Sequence, residues 1–236
     1  MRAAILVEHN HPLEVHEIEC PSELDFGQVL VQVKYSGICG SQLGEISGLK
    51  GPDPYLPHLL GHEGSGVVQK IGPGVTTVKE GNHVVLHWRP STGIQSPTPA
   101  YNWNGKKVNA GWVTTFNEYA VVSEDRVTMI PNDFDPEVGA LMGCAVTTGL
   151  GVINNNAKVK IGESVVVWGA GGIGLNIIQG ASLVSAYPII AIDLYDHKLN
   201  MSKQMGATHT INAKKINPSH EAPMQLINKI DAFIID

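Results

Sequence analysis

The hydrophobic positions change their period partway along the chain. Up to about residue 145, short runs rich in Val and Ile alternate with polar residues and are broken by Gly and Pro. These runs are AAILV from Ala3, QVLVQVKYSGI from Gln28, GSGVVQKIG from Gly64, GNHVVLHW from Gly81 and FNEYAVVSEDRVTMIP from Phe116. Such runs, punctuated by turns such as GPGV at Gly72 to Val75, predict strands of a barrel-like or sandwich-like domain. The stretch Pro90 to Gly111 is polar and rich in Pro, Asn and Gly, and predicts a long loop.

From about Val146 the texture is different. Ser164 to Trp168 is a continuous apolar strand, followed by the turn GAGGIG at Gly169 to Gly174 and a helix through Leu175 to Leu183. Then come a strand at Ile189 to Asp193, a polar helix at Lys198 to Met205, a short strand at His209 to Ile211, a helix near Met224 to Lys229 and a strand at Ala232 to Ile235. Strands alternating with helices predict βαβ units and a parallel sheet. The expectation is a β-rich domain over 1–145 and an α/β, doubly wound domain over 146–236.

Composition narrows the classes. At 43% hydrophobic and 16% charged, with 26 Gly, the chain is globular rather than disordered. A net charge of -6 argues against a nucleic-acid or acidic-membrane partner, which needs a concentrated basic surface. No segment approaches the roughly twenty apolar residues of a membrane-spanning helix. The N-terminus MRAAILVEHNHPLEV reads as a first strand rather than a signal peptide. Three Cys is an odd count that fits reduced thiols and a cytoplasmic protein, with Cys20 an ordinary thiol.

The glycine turn follows a strand and opens a helix, the context a dinucleotide fingerprint requires. Gly169 permits the tight turn, Gly171 lets the backbone approach a pyrophosphate, and Gly174 lets helix and strand pack closely, with Gly172 and Ile173 between them. The helix N-terminus offers N–H groups to phosphates. Asp193 ends the next strand about twenty residues on. Its carboxylate would accept from both ribose hydroxyls and repel a 2′-phosphate, favouring NAD over NADP. Cys39, His62 and Cys144 read together as a candidate catalytic zinc set, because two thiolates and one imidazole leave a fourth tetrahedral position for water or substrate. Their long separations mean that only the fold could bring them together; taken singly, each is more often a buried structural residue. Ser41 could take an alcohol proton, and Glu63 could tune the metal or enter its shell.

Longer stretches carry a resemblance: GICGS at Gly37 to Ser41, GHEGSGVV at Gly61 to Val68, IGPGVTTVKEGNHV at Ile71 to Val84, GCAVTTGLG at Gly143 to Gly151, and GAGGIG. The chain resembles the zinc-containing alcohol dehydrogenases of the medium-chain dehydrogenase/reductase superfamily. The resemblance implies a GroES-like catalytic domain followed by a Rossmann domain. It implies Cys39, His62 and Cys144 as zinc ligands and Ser41 as the proton acceptor. It also places Thr148 against the nicotinamide, Asp193 and Lys198 at the adenosine ribose, and His87 and Trp88 at the substrate pocket. The implied activity is hydride transfer between an alcohol or aldehyde and NAD, with primary alcohols, aryl alcohols or glutathione-linked formaldehyde as substrates and a homo-oligomer for the full-length form.

Four departures from that pattern qualify the expectation. No Cys lies between His87 and Phe116, where many members hold a structural zinc, so one metal per chain is expected. The position of a common relay His is Gly44, and that of a common Asp beside the His ligand is Gln42. Relatives of this kind run roughly a hundred residues beyond Asp236, so the Rossmann sheet is expected to be partial. Phe233, Ile234 and Ile235 would then be exposed at its edge, with weak activity and aggregation. The alternative is a truncated or degenerate relative that retains zinc or adenosine binding without catalysis; a zinc-independent reductase of the superfamily fits less well, since all three ligands are present.

Overall fold

The computed structural model describes residues 1–215 and 232–235. The chain divides into two compact units, Met1–Cys144 and Ala145–Asp236.

The first unit is built from ten strands and two short helices. In chain order these are β1 (Arg2–Leu6), β2 (Glu14–Glu17), β3 (Gln28–Ser36), α1 (Gly40–Ile46), β4 (His58–Leu59), β5 (Glu63–Ile71), β6 (His83–His87), β7 (Ala100–Trp103), β8 (Lys106–Asn109), β9 (Tyr119–Ser123), β10 (Val127–Met129) and α2 (Pro136–Leu141). They form two five-stranded sheets, in the orders β2-β1-β4-β8-β7 and β10-β6-β5-β3-β9. Alternation decides which side chains go inside. Val29, Val31, Val84, Leu86, Ala120 and Val122 are buried on one cluster of the second sheet, while Ile5, Leu59, Tyr101 and Val108 make the core of the first.

The stretch expected to be a long loop is in part a hairpin. β7 and β8 pair antiparallel, with Trp103 opposite Lys106. Asn104 and Gly105 take φ of 50° and 81°, the two positive values that a tight primed turn demands and that Asn-Gly supplies with little strain. The hairpin is tied to the rest of the sheet by pairing and packing. β8 pairs with β4, Glu19 exchanges backbone hydrogen bonds with Asn102, and the Trp103 ring stacks on His16 at 4.3 Å.

Glu124 ties the neighbouring loops to the second sheet. It is 1% exposed, and its carboxylate accepts from the backbone N–H groups of Thr76, Thr77 and Ile94 at 2.6, 2.7 and 2.9 Å. Burial works to raise its pKa, but these donors outweigh burial and hold it below the ordinary carboxylate value. A group depressed in this way stabilises the fold above its unfolded pKa, and that contribution is lost as pH falls through the folded pKa. Glu124→Ala is therefore expected to cost about 3 kcal/mol at neutral pH, from buried N–H groups left without their charged acceptor. The difference from the parent should shrink in mild acid. Urea melts of both chains across the acid range check it; a constant difference would contradict the assignment.

The second unit contains α3 (Ala145–Gly151), a π-helical turn at Val152–Ala157, β11 (Val165–Trp168), α4 (Gly172–Leu183), β12 (Ile189–Asp193), α5 (Asp196–Gln204), β13 (His209–Asn212) and β14 (Ala232–Ile235). All the pairings among these strands are parallel, in the order β13-β12-β11-β14. Val165, Val167, Ile189 and Ala191 pack against Ile177, Ile178 and Ala181 of α4, while Val166, Ile190 and Ile192 form the core of the other face. Burial on both faces explains why β11 and β12 read as continuous apolar runs. Ile234 of the edge strand β14 is buried in that core rather than exposed as the sequence predicted. The helix expected near Met224 to Lys229 lies outside the described residues.

Candidate metal centre and dinucleotide turn

Three segments of the first unit converge on one point. Cys39 is the N-cap of α1, His62 lies between β4 and β5, and Cys144 follows α2 by three residues. Two glycines permit the approach. Gly61 has φ +92°, and a Cβ there would run into the Thr115 hydroxyl and backbone. A Cβ at Gly143 would meet Glu63 Cα at 2.8 Å and overlap the Leu86 carbonyl oxygen. Gly143 thus lets the Cys144 segment lie directly on β5 and β6. The result is that the two Sγ atoms and a His62 ring nitrogen all lie within 4.8 Å of one another. A tetrahedral zinc would space such ligands roughly 3.5–3.8 Å apart, so small side-chain movements close the site.

The donor chemistry fits zinc. His62 Nε2 is buried with no hydrogen-bond partner among the described residues. A buried, unpaired polar nitrogen costs about 1–3 kcal/mol, and metal ligation removes that cost. Burial also pushes the His62 pKa down, which keeps the ring neutral and its lone pair available. Two thiols with one imidazole suit zinc better than a hard, oxygen-seeking cation.

Ser41 is exposed, and its Oγ lies 3.5 Å from His62 Nδ1. Gln42 is 3% exposed, and its Nε2 is 2.5 Å from the same nitrogen. Glu63, also 3% exposed, directs its carboxyl against Gly37, where a Cβ would come within 2.6 Å of Glu63 Cδ. It is not part of the ligand cluster. His87 does not stand free in a pocket: Nδ1 donates to the Arg89 carbonyl at 2.7 Å and Nε2 faces the Thr128 hydroxyl at 2.9 Å. Burial pushes its pKa down, as a neutral ring in that arrangement requires. Trp88 does line a cavity, of about 320 Å³, with His62, Pro90, Trp112, Val113 and Arg126. A larger cavity of about 570 Å³ also reaches His62 and Gln42, with Glu45, Asp53, His58 and Lys107 among its walls. The Asp53–His58 pair, with Nε2 2.9 Å from Oδ2, escaped sequence reasoning. Four residues, two of them prolines, separate the pair and give no period to read. Cys20 is half-buried, and its thiol lies 3.3 Å from Met1 Sδ.

In the second unit the glycine turn joins β11 to α4. Gly169 has φ +103°, Gly171 is the N-cap of the 12-residue α4, and Gly174 is buried in its first turn. A Cβ at Gly172 would meet nothing within 4 Å, so that position faces open space, while Ile173 packs on the core. Asp193 accepts from the Ala170 N–H with Oδ2 at 2.8 Å and from the Tyr195 N–H with Oδ1 at 2.9 Å. Lys198 Nζ is 3.9 Å away. Burial works to raise the Asp193 pKa, but the two N–H donors and the lysine hold it below the usual carboxylate range. The carboxylate thus fixes the glycine turn and stays charged. Thr148 is half-buried on α3. Its neighbour Gly149 lets α3 press onto α4, since a Cβ there would be 2.5 Å from Asn176 Cβ. The N–H groups at the start of α4 and an anionic Asp193 nearby fit a dinucleotide with a free ribose.

Comparison with known proteins gives a consistent picture. Residues 25–132 match the family model described as the alcohol dehydrogenase GroES-like domain. S-(hydroxymethyl)glutathione dehydrogenase of Synechocystis sp. is 36% identical over 251 residues, covering 96% of this chain and 66% of that protein. The enzyme of the same name from Paracoccus denitrificans is 37% identical, covering 90% of this chain and 63% of its own length. An Escherichia coli counterpart is 34% identical over 253 residues, covering 97% and 68%. The chain thus spans about two thirds of the length of these curated relatives. Among solved structures, benzyl alcohol dehydrogenase from Acinetobacter calcoaceticus aligns with a TM-score of 0.81 at 32% identity, covering 92% of this chain and 65% of that one. The chain belongs to the zinc-containing alcohol dehydrogenase family of the medium-chain dehydrogenase/reductase superfamily.

Proposed function

We propose that the chain is the zinc-holding and dinucleotide-binding part of an NAD-dependent alcohol dehydrogenase acting on primary alcohols with an aryl or other bulky apolar group. The observation that carries the reading is the convergence of Cys39, His62 and Cys144, with a buried, unpartnered His62 Nε2 among them. When bound, zinc supplies a Lewis acid at the substrate oxygen and NAD carries the hydride. The chain's own residues do the rest. Ser41 Oγ, exposed beside His62, takes the alcohol proton. Trp88 and Trp112 wall the cavity that reaches His62; they orient an aromatic substituent and exclude water from it. Gly169 to Gly174 and the start of α4 hold the pyrophosphate, Asp193 and Lys198 hold the adenosine ribose, and Thr148 lies toward the nicotinamide. Glu63 sets the field behind the ligands. One zinc per chain is proposed, because the hairpin β7–β8 is held by sheet pairing and carries no Cys.

The test is NADH formation by the zinc-loaded chain with benzyl alcohol, ethanol and S-(hydroxymethyl)glutathione. Fastest turnover of benzyl alcohol, abolished in Cys144→Ser, is the expected result. Binding of zinc and NAD without turnover of any alcohol would favour the second reading, a binding relic of the family.

A further inference from the structure

The cavity of about 320 Å³ beside His62 is walled by two indoles, a proline and a valine, and by the charged side chain of Arg126. Its size is at the low end of the roughly 300–1,000 Å³ of ligand pockets, which suits a single substituted ring. Arg126 comes from the 3₁₀ turn Glu124–Arg126, between β9 and β10, and its side chain is 4% exposed. The guanidinium is held from several sides. Nη1 donates to the Trp88 carbonyl, Cζ lies 5.0 Å from the centre of the Trp112 ring, and Nε faces Asp125 Oδ1 at 3.4 Å. These contacts leave donors over, because an arginine offers five N–H groups. Nε and Asp125 Oδ1 are both buried without a hydrogen-bond partner among the described residues. Their separation exceeds the length of a charge-assisted bond, about 2.7–2.9 Å. Among the described residues, the hydrogen bond to Trp88 is the one that the guanidinium makes.

Charge decides what could meet the remaining donors. Asp125 lies against the guanidinium, so the buried pair is close to neutral. A second carboxylate entering the cavity would give up its hydration and meet Asp125 as well as Arg126. An uncharged oxygen accepts from the same N–H groups at a much smaller desolvation cost. We propose that Arg126 is a specificity-determining residue, selecting aryl alcohols that carry an uncharged acceptor oxygen on the ring over plain benzyl alcohol. The inference rests on the reading of this cavity as the place of an aromatic substituent, and deepens it. The alcohol end lies toward His62, the indoles of Trp88 and Trp112 take the ring, and the ring oxygen meets the guanidinium. Stacking on Trp112 and the bond to Trp88 hold Arg126 in place before substrate arrives, so little ordering remains to oppose binding.

The test is binding to the zinc-loaded chain without dinucleotide, so that no turnover is needed. Isothermal titration compares benzyl alcohol, its meta- and para-methoxy derivatives, its meta- and para-ethyl derivatives, and para-(hydroxymethyl)benzoate. Methoxy and ethyl groups have nearly the same shape and differ in one oxygen. The better methoxy isomer is expected to bind at least about tenfold tighter than the ethyl isomer of the same position, the low end for a hydrogen bond to a charged group. The benzoate is expected to bind more weakly than that methoxy isomer. Equal binding of methoxy and ethyl derivatives at both positions overturns the inference while leaving the aryl site intact. Binding of none of these alcohols overturns the aryl reading and the inference with it. Tightest binding of the benzoate makes the cavity an anion site and also overturns the inference. Asp125→Asn and Arg126→Met, made together so that no buried charge is left unpaired, are expected to erase the difference between methoxy and ethyl. A difference that persists in the folded double variant takes the role away from Arg126. If that variant does not fold, the comparison of the two substituents on the unaltered chain decides.

Discussion

Cys39→Ser, His62→Ala and Cys144→Ser are each expected to lower zinc affinity by about 100-fold or more. Outer-shell partners alone are worth 10–100-fold, and a ligand is worth more. The argument is the ligand count. Three protein donors are the minimum for a tetrahedral site that keeps one position open, and the structure places these three within 4.8 Å of one another. Because Gly61 and Gly143 shape the backbone around the ligands, the substitutions should leave the first unit folded. The zinc content of purified chains, read beside their circular dichroism, checks this. Full zinc in a folded Cys144→Ser chain would remove Cys144 from the site.

The second large effect concerns Asp193. Replacing it with Ser is expected to weaken NAD by about 3 kcal/mol, roughly a hundredfold, if two ribose hydroxyls lose a charged acceptor. NADP should lose far less, because the repulsion of its 2′-phosphate disappears with the carboxylate. The preference for NAD should therefore narrow or reverse. Two further consequences come from the structure. The Ala170 and Tyr195 N–H groups lose their acceptor, so the variant should also melt earlier, and the glycine turn should loosen. Asp193→Asn, which keeps an oxygen for one of these donors, should retain more of both properties. Titration with the two dinucleotides tests the idea, and NADP binding as tightly as NAD to the parent chain would sink it.

Much of the second unit is legible from sequence because its strands are buried on both faces. Ser164 to Trp168 and Ile189 to Asp193 carry no polar alternation, and the Gly-rich turn marks where strand becomes helix. The first unit hides more. β2 and β4 are too short to show a period. β7 and β8 sit in a segment whose Pro and Asn content masks them, although Asn104-Gly105 between YNW and KKVN was a hairpin signal. The identities of the ligands came from resemblance, since residues 39, 62 and 144 have no local spacing rule; the glycines that bring them together act through close approach, which a sequence does not display. His87 shows what type and position leave out: that the Arg89 carbonyl and the Thr128 hydroxyl partner its two ring nitrogens is a matter of the fold. Gln42 was visible only as a neutral residue in place of an acid; that its oxygen accepts from the Cys39 N–H is a matter of three-dimensional geometry.

The central claim is a single zinc held by two thiolates and one imidazole with an open position. X-ray absorption at the zinc edge on the loaded chain tests it most directly. The account predicts four-coordinate zinc with two sulfurs at about 2.3 Å and two lighter atoms at about 2.0–2.1 Å, one of them imidazole. A shell of oxygen and nitrogen alone, or one sulfur with five or six light atoms, would contradict it.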